Sequence, residues 1–390
     1  MLRLMVMNVW QLNLRHVRAA AEIYRLGTIS AAAGSVSLTQ PAITQALAKL
    51  EAQLGLSLFD RRPDGMEPTP AAHLFVPRVN AALAQIASPR ITMAQMRALI
   101  AIADAGSYPG ASAATGLAQP SLHRAVNDVS LALRRPVTER RGKGLALTET
   151  GNRLVRVFRL ARAELQAGLA EIEGLKGRET GRIAIGAMPL SRARLLPAAV
   201  SAFYRKHPRF RIAIAEGSWA ELIEPLRDGD LDLLIGALRD PSPGEDLVQT
   251  PLFEDRPVIL GRKGHPLSGK APDIGALARY PWAIAPPGAP LRAQWDRLFR
   301  DARVDPPEVP VECGSVITIR QILLDSDFLT LLSPDQVAVE LEAGWLAKIC
   351  DAPGGLTRTI GLTTRSGWRP TAMQQAFVDQ IVASLSSQNS

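Results

Sequence analysis

The sequence predicts a chain that is α/β overall: a mainly α N-terminal region of winged helix-turn-helix heads, a linker helix, and a bilobal α/β domain. Three observations predict it. The segment Gly27–Ile43 recurs as Gly106–Leu122. A proline-free stretch from Thr148 to about Lys176 places apolar residues at alternating steps of four and three. After Gly181, strand-like and helix-like segments alternate.

Leu38, Gln40, Pro41, Arg61 and Arg62 match Leu117, Gln119, Pro120, Arg140 and Arg141 at one offset of about 79 residues. Each copy opens with an apolar-periodic helix, through Val17, Ala20, Ala21 and Tyr24 in the first and Met96, Leu99, Ile100 and Ala103 in the second. A glycine-containing turn, a short alanine-rich helix, a second turn and a longer helix follow. Thr39 is placed to cap that longer helix, with Pro41 in its first turn, where no N–H is needed. The first head is expected over 8–75 and the second, divergent one over 91–147.

In the first copy Ile43, Leu47, Leu50 and Leu54 share the inner face, leaving Gln40, Thr44, Gln45 and Lys49 outside with Thr39 at the cap. Gln and Thr hydrogen-bond base edges in the major groove, and Lys reaches phosphate. Arg61 and Arg62 begin a basic turn that reads as a wing. The second copy offers Gln119, Ser121, His123, Arg124 and Asn127 on its helix and Arg140, Arg141 and Lys143 on its wing. An ordinary solvated helix would also satisfy these polar faces. The first helix is expected to read bases and the second wing to hold phosphate.

The linker or dimerisation helix, 148–176, carries Leu154, Phe158, Ala161, Leu165, Gly168, Ile172 and Leu175 as a seam for another helix. Packing on its own domain is the alternative. Gly177–Gly181 reads as the hinge that follows. Beyond it, strands are expected at Arg182–Gly186, Phe210–Ala215, Leu231–Gly236, Pro257–Gly261, Trp282–Ala285, Val309–Cys313, Phe328–Leu332 and Thr357–Thr363. Helices lie between most of them, the first capped by Ser191, and one closes the chain. The bilobal domain is expected over 181–390, with lobe one at 181–257 and 357–390 and lobe two at 258–356. Open sheets of this kind bind ligands at the carboxyl ends of their strands. Ser191, Ser218, Gly236, Gly288 and Ser315 sit at such ends, although each serine could equally be a plain helix cap.

The first copy resembles the DNA-binding domain of LysR-type transcriptional regulators. The resemblance rests on Gly27–Ser30, Ala31-Ala32, Gln40–Thr44, Leu50–Gly55 and Leu58–Arg62. Two departures stand out. The Leu-Thr-x-x-Gly that opens the family's linker helix appears only as Leu147–Gly151, after the second copy, while the first has Pro68–Ala72. The family also carries one head, whereas this chain holds a tandem pair. Leu195–Pro197, His207-Pro208, Leu226–Asp232 and His265–Leu267 resemble the LysR-type effector-binding domain, itself similar to periplasmic binding proteins. The resemblance implies a transcription regulator whose DNA binding is modulated by a small-molecule effector. It also implies that the helical seam forms a homodimer or homotetramer matching a pseudo-palindromic double-stranded DNA site. A small-molecule binding module that has lost DNA regulation is the alternative.

Charge agrees with an anionic partner. Residues 1–151 hold sixteen Lys and Arg against nine Asp and Glu, whereas the remainder holds 29 against 28. A general Arg-rich bias is the competing explanation. Cys313 and Cys350 are isolated, so neither a metal site nor a disulfide framework is expected. Gly264–Ala271 nearly matches a phosphate-binding loop, but Ala271 and Pro272 stand where Ser or Thr and a helix are needed. No catalytic constellation emerges, so an enzyme is not expected, and no cofactor. Met1–Trp10 lacks the apolar core of a signal peptide and no long uncharged apolar run occurs, so a cytoplasmic protein without membrane contact is expected.

Overall fold

The computed structural model describes residues 7–86, 88–141, 144–178 and 181–386. The chain divides into two units. The first holds the residues up to Gly181 with Asp228–Asp230 and Pro370–Met373, and the second holds the rest.

The first unit is built twice. A 3-10 turn at Val9–Gln11 precedes α1 (Leu14–Leu26), α2 (Ile29–Ser35), α3 (Gln40–Leu54), the antiparallel hairpin β1 (Phe59–Arg62) and β2 (Gly65–Pro68), and α4 (Pro70–Ile86). Then come α5 (Met93–Ala105), α6 (Tyr108–Thr115), α7 (Gln119–Leu133), the hairpin β3 (Thr138–Arg141) and β4 (Gly144–Leu147), and α8 (Glu149–Leu175). Counterparts begin at a constant offset: Leu14 and Met93, Gln40 and Gln119, Phe59 and Thr138, Pro70 and Glu149.

Local chemistry sets these boundaries. The Thr28 and Thr39 hydroxyls accept from Ala31 N and Ala42 N at the starts of α2 and α3. Gly27 and Gly55 end α1 and α3 in the left-handed conformation. The wing is pinned to the α1–α2 turn, because Met66 N donates to Gly27 O at 2.7 Å. A Cβ on Gly65 would lie 2.6 Å from that same carbonyl oxygen, so the hairpin needs glycine there.

A further helix follows the first wing. α4 continues to Ile86 despite Pro77. Pro70 occupies its first turn, and Thr69 caps it by accepting from Ala72 N, as Thr148 caps α8 by accepting from Gly151 N. Three prolines hide this helix from a sequence reading. The seam of α8 is therefore covered within the chain. Phe158, Ala161, Leu165, Gly168 and Ile172 are buried, in one core with Phe75, Val76, Val79, Ala82 and Ile86 of α4. Leu175, the last of the predicted seam, is exposed.

The two helices run antiparallel. α8 starts against the second head, where a Cβ on Gly151 would collide with Val137 O. Its far end lies on the first head, where Met7, Gln53, Leu54, Leu169, Ile172 and Glu173 line one hollow. At the crossing, a Cβ on Gly168 would stand 3.0 Å from the Phe75 ring and 3.2 Å from Arg78 Cβ. The buried Arg78 guanidinium donates to Glu171 at 2.7 Å and to Glu164 at 3.4 Å.

Among the described residues the second unit carries three sheets. In chain order it contains β5 (Arg182–Ala187), α9 (Leu195–Lys206), β6 (Arg211–Glu216), α10 (Trp219–Arg227), β7 (Leu233–Ala237), β8 (Leu247–Asp255), β9 (Val258–Arg262), α11 (Ile274–Leu277), β10 (Ala283-Ile284), α12 (Pro290–Asp301), β11 (Val311-Glu312), α13 (Val316–Leu324), β12 (Thr330–Leu332), α14 (Ala338–Glu342), β13 (Leu346–Asp351), β14 (Arg358–Arg365) and α15 (Ala372–Ser386). One sheet has the order β6-β5-β7-β14-β8, with β5 parallel to β6 and β7. A second is β12-β9-β13, antiparallel throughout, beside the short parallel pair β10-β11. Its core gathers Trp282, Trp295 and Phe299. Two strands escape the sequence reading, β8 and β13. Both are edges, and β8 tolerates Pro251 because an edge strand leaves one side unpaired. Among the described residues no helix is long and apolar enough to cross a membrane.

Two stability measurements check how α8 is held. Gly168→Leu overfills the crossing and should cost about 1–3 kcal/mol in urea denaturation; an unchanged midpoint would show that the helices do not meet there. Burial opposes ionisation of Glu173, but hydrogen bonds from Lys176 and Arg178 outweigh it and hold the carboxyl below its ordinary 4.5. Its contribution is therefore complete above pH 4.5 and is lost as pH falls through the lower folded value. Glu173→Gln should flatten the acid limb of stability against pH, and a limb of unchanged steepness would assign acid lability elsewhere.

Candidate nucleic-acid interface and effector site

α3 turns Ile43, Leu47, Leu50 and Leu54 inward, and the predicted outer residues follow from that. Thr39, Gln40, Gln45 and Lys49 are exposed and Thr44 is half-buried. Gln40, Pro41, Ala42, Thr44, Gln45 and Ala48 line one open concave surface. This face carries amide and hydroxyl groups with one cation, which suits hydrogen bonding to base edges.

α7 repeats the arrangement with different chemistry. Gln119, Ser121, His123, Arg124 and Asn127 are all exposed. The His123 ring stacks on Tyr108 with centroids 3.5 Å apart, which fixes its orientation. At the offset between the copies, Gln119 repeats Gln40, but His123 replaces Thr44, Arg124 replaces Gln45 and Asp128 replaces Lys49. Ala118 stands where Thr39 caps α3, so α7 starts without a side-chain cap.

The wings differ in sign. The first holds Arg61 and Arg62 among Asp60, Asp64 and Glu67, and Arg62 is bound to Glu67 at 2.7 Å. That hydrogen bond raises the Arg62 pKa. In the second wing Ala146 occupies the position of Glu67, so Arg141 has no such partner. Arg140 and Arg141 are exposed. Lys143 lies outside the described residues. The second wing is thus the more open to an anion.

The five residues predicted for the effector separate into two groups. Ser191 is buried and donates to Met188 O at 2.9 Å. It does not cap α9, which begins after Arg194 without a side-chain cap. Gly236 packs on Met188, whose methyl carbon would lie 2.3 Å from a Cβ there. Both form the floor beneath the strand ends rather than their surface. Ser218, Gly288 and Ser315 are exposed. The Ser218 hydroxyl donates to the Glu221 carboxylate, and Ser315 caps α13 by accepting from Thr318 N.

The sequence reading passed over Arg239. It follows the carboxyl end of β7, and its guanidinium lies 5.0 Å from the centre of the Trp219 ring, which follows β6. Its backbone N and O are both held by the Gln249 side chain. Nε is buried without a partner, and burial lowers the pKa of the group. Among the described residues no carboxylate pairs with it. Nothing in the run Ala237–Asp240 distinguishes this arginine from its many neighbours, because the signal is the missing acid.

Comparison with known proteins gives a consistent result. Residues 14–73 and again 93–152 match the family described as bacterial regulatory helix-turn-helix protein, lysR family, and residues 176–386 match the LysR substrate binding domain. The HTH-type transcriptional regulator GalR of Pseudomonas putida is 30% identical over 368 residues, covering 91% of this chain and 93% of its own length. An SDS degradation transcriptional activation protein of a Pseudomonas species is 30% identical over 278 residues, covering 70% and 90%. Full-length OxyR of Pseudomonas aeruginosa shares the fold at a TM-score of 0.56 and 22% identity, covering 75% of this chain and 93% of that one.

The caps of the two outer helices can be exchanged. Thr39→Ala should lower stability and Ala118→Thr should raise it, each by about 0.5–2 kcal/mol. Thermal unfolding reads both, and a neutral Ala118→Thr would mean that the start of α7 is already satisfied.

Proposed function

The chain belongs to the LysR family of transcriptional regulators, and on that premise we propose that both of its heads contact DNA, with the helix of the first reading bases and the wing of the second holding phosphate. The protein is a DNA-binding regulator whose operator binding is modulated by a small-molecule effector of its C-terminal domain, and it is not an enzyme. The difference in charge between the wings carries the division of labour. Arg140 and Arg141 are exposed, and no acid faces Arg141 across its hairpin, whereas Arg62 is already bound to Glu67. Amide side chains with two donors and an acceptor suit base edges, and cations suit phosphate. Its place of work is the cytoplasm.

The effector is an anion held through Arg239. The half-buried guanidinium meets the Trp219 ring but pairs with no carboxylate among the described residues, so a negative group that reaches it offsets the remaining desolvation cost. Its position after β7, with Trp219 after β6, follows the rule that open sheets bind ligands at the carboxyl ends of their strands. Ser218, Gly288 and Ser315 are exposed on the same class of strand end and supply polar contacts, and Ser191 and Gly236 support the floor.

Gln45→Ala should weaken binding to the specific site by about 1–3 kcal/mol while leaving binding to unrelated DNA nearly intact. Arg140→Ala with Arg141→Ala should weaken both and make the log–log salt slope shallower by roughly 0.9 for each phosphate no longer neutralised. Fluorescence anisotropy against salt reads both, and an unchanged slope would take the second wing off DNA. For the effector, thermal shifts with small carboxylic acids and their neutral amides should favour the acids, and Arg239→Ala should abolish the difference. Equal shifts from acid and amide would refute an anionic effector.

A further inference from the structure

We infer that one chain is a complete two-headed DNA reader: α4 and α8 fasten its heads as a pseudo-two-fold pair that recognises a bipartite site with unlike halves. The inference rests on the DNA-binding reading above and goes further, because it replaces a symmetric pair of chains by an asymmetric pair of heads within one.

The heads are related by the helices that carry them. In each copy the first helix packs on the helix that follows its own wing. Tyr24 of α1 hydrogen-bonds His73 of α4 at 2.9 Å, and Arg159 of α8 pairs with Asp104 of α5. The faces that meet between α4 and α8 are also equivalent. Val76, Val79, Ala82 and Ile86 are buried in α4, and Val155, Phe158, Ala161 and Leu165 are buried at the matching positions of α8. Equivalent faces joined antiparallel are related by a dyad across the pair, so two heads attached in the same way inherit that dyad. Two-fold DNA half-sites require the same relation. The hairpin has a suitable length. α4 spans roughly 25 Å and α8 roughly 40 Å, and half-sites one turn apart are about 34–36 Å from centre to centre.

The two halves of the site differ because the heads do. Gln45 suits adenine, which a glutamine meets through N6 and N7, whereas Arg124 at the matching position suits guanine through O6 and N7. Lys49 against Asp128 and Thr44 against His123 widen the difference. A palindrome therefore does not satisfy this protein, although it would satisfy two copies of one head.

The test uses the full-length chain. Selection from random duplexes, followed by hydroxyl-radical footprinting, should return two dissimilar half-sites about one turn apart. Gln45→Ala should lower affinity roughly five- to 150-fold for a change confined to one half, and Arg124→Ala likewise for the other. The two variants mixed in equal amounts should not recover the footprint, since each chain lacks one working head. A palindromic site, loss in both halves from a single substitution, or recovery on mixing would overturn the inference and leave DNA reading standing. Equal affinity of the unaltered protein for every duplex would overturn the DNA-binding reading itself, and this inference with it.

Discussion

Phe75 and Arg78 of α4 lie against Gly168 of α8, and the arrangement of the N-terminal unit depends on that contact. Glycine brings the two helices close enough for their equivalent faces to merge into one core. The core runs unbroken from Val9 to Ile172 through both heads. Arg78, held between Glu164 and Glu171, adds selectivity more than stability, because a buried charge tolerates few other registers. A helix seam that would otherwise call for a second chain is satisfied inside the first. Association into dimers or tetramers is then left to other surfaces.

This arrangement frees the two heads to differ. Two identical heads on separate chains must present the same residues to both halves of a site. Here each outer helix and each wing changes independently. The first keeps amides and a wing with more acids than arginines. The second carries Arg124 on its helix and a wing with three basic residues and one acid. The offset between the copies is still legible in the start of every paired element, while the chemistry on the outer faces has diverged. The C-terminal unit adds control. A ligand that binds two states of that unit unequally shifts their populations, and with them the DNA affinity.

Much of this was open to a reading of the sequence, and the exceptions have physical causes. The repeat, the outer faces of α3 and α7, and the strand–helix alternation are periodic signals and survive without coordinates. α4 was missed because Pro68, Pro70 and Pro77 argue against a helix unless one sees that Pro70 sits in the first turn. The partner of α8 could not be chosen, since a seam of steps of four and three says that a helix is met but not whose. Ser191 and Gly236 lie at strand ends in the sequence, but their burial against Met188 depends on packing from another strand. Arg239 carries no local signature, because what marks it is an acid absent from space rather than a residue present in sequence.

The most direct test of the central claim asks whether α4 and α8 meet within one chain. A Cβ on Gly168 would lie 3.2 Å from Arg78 Cβ, close to the span of about 3.5–4.5 Å that a disulfide bridges. The protein would carry Arg78→Cys and Gly168→Cys, with Glu164→Gln and Glu171→Gln so that no acid is left unpaired, and Cys313→Ser and Cys350→Ser to remove the native thiols. After mild oxidation, a non-reducing denaturing gel should show one bridged chain at monomer mass. Bridged dimers would mean that the helices pair between chains, and the account of a self-contained two-headed reader would fail.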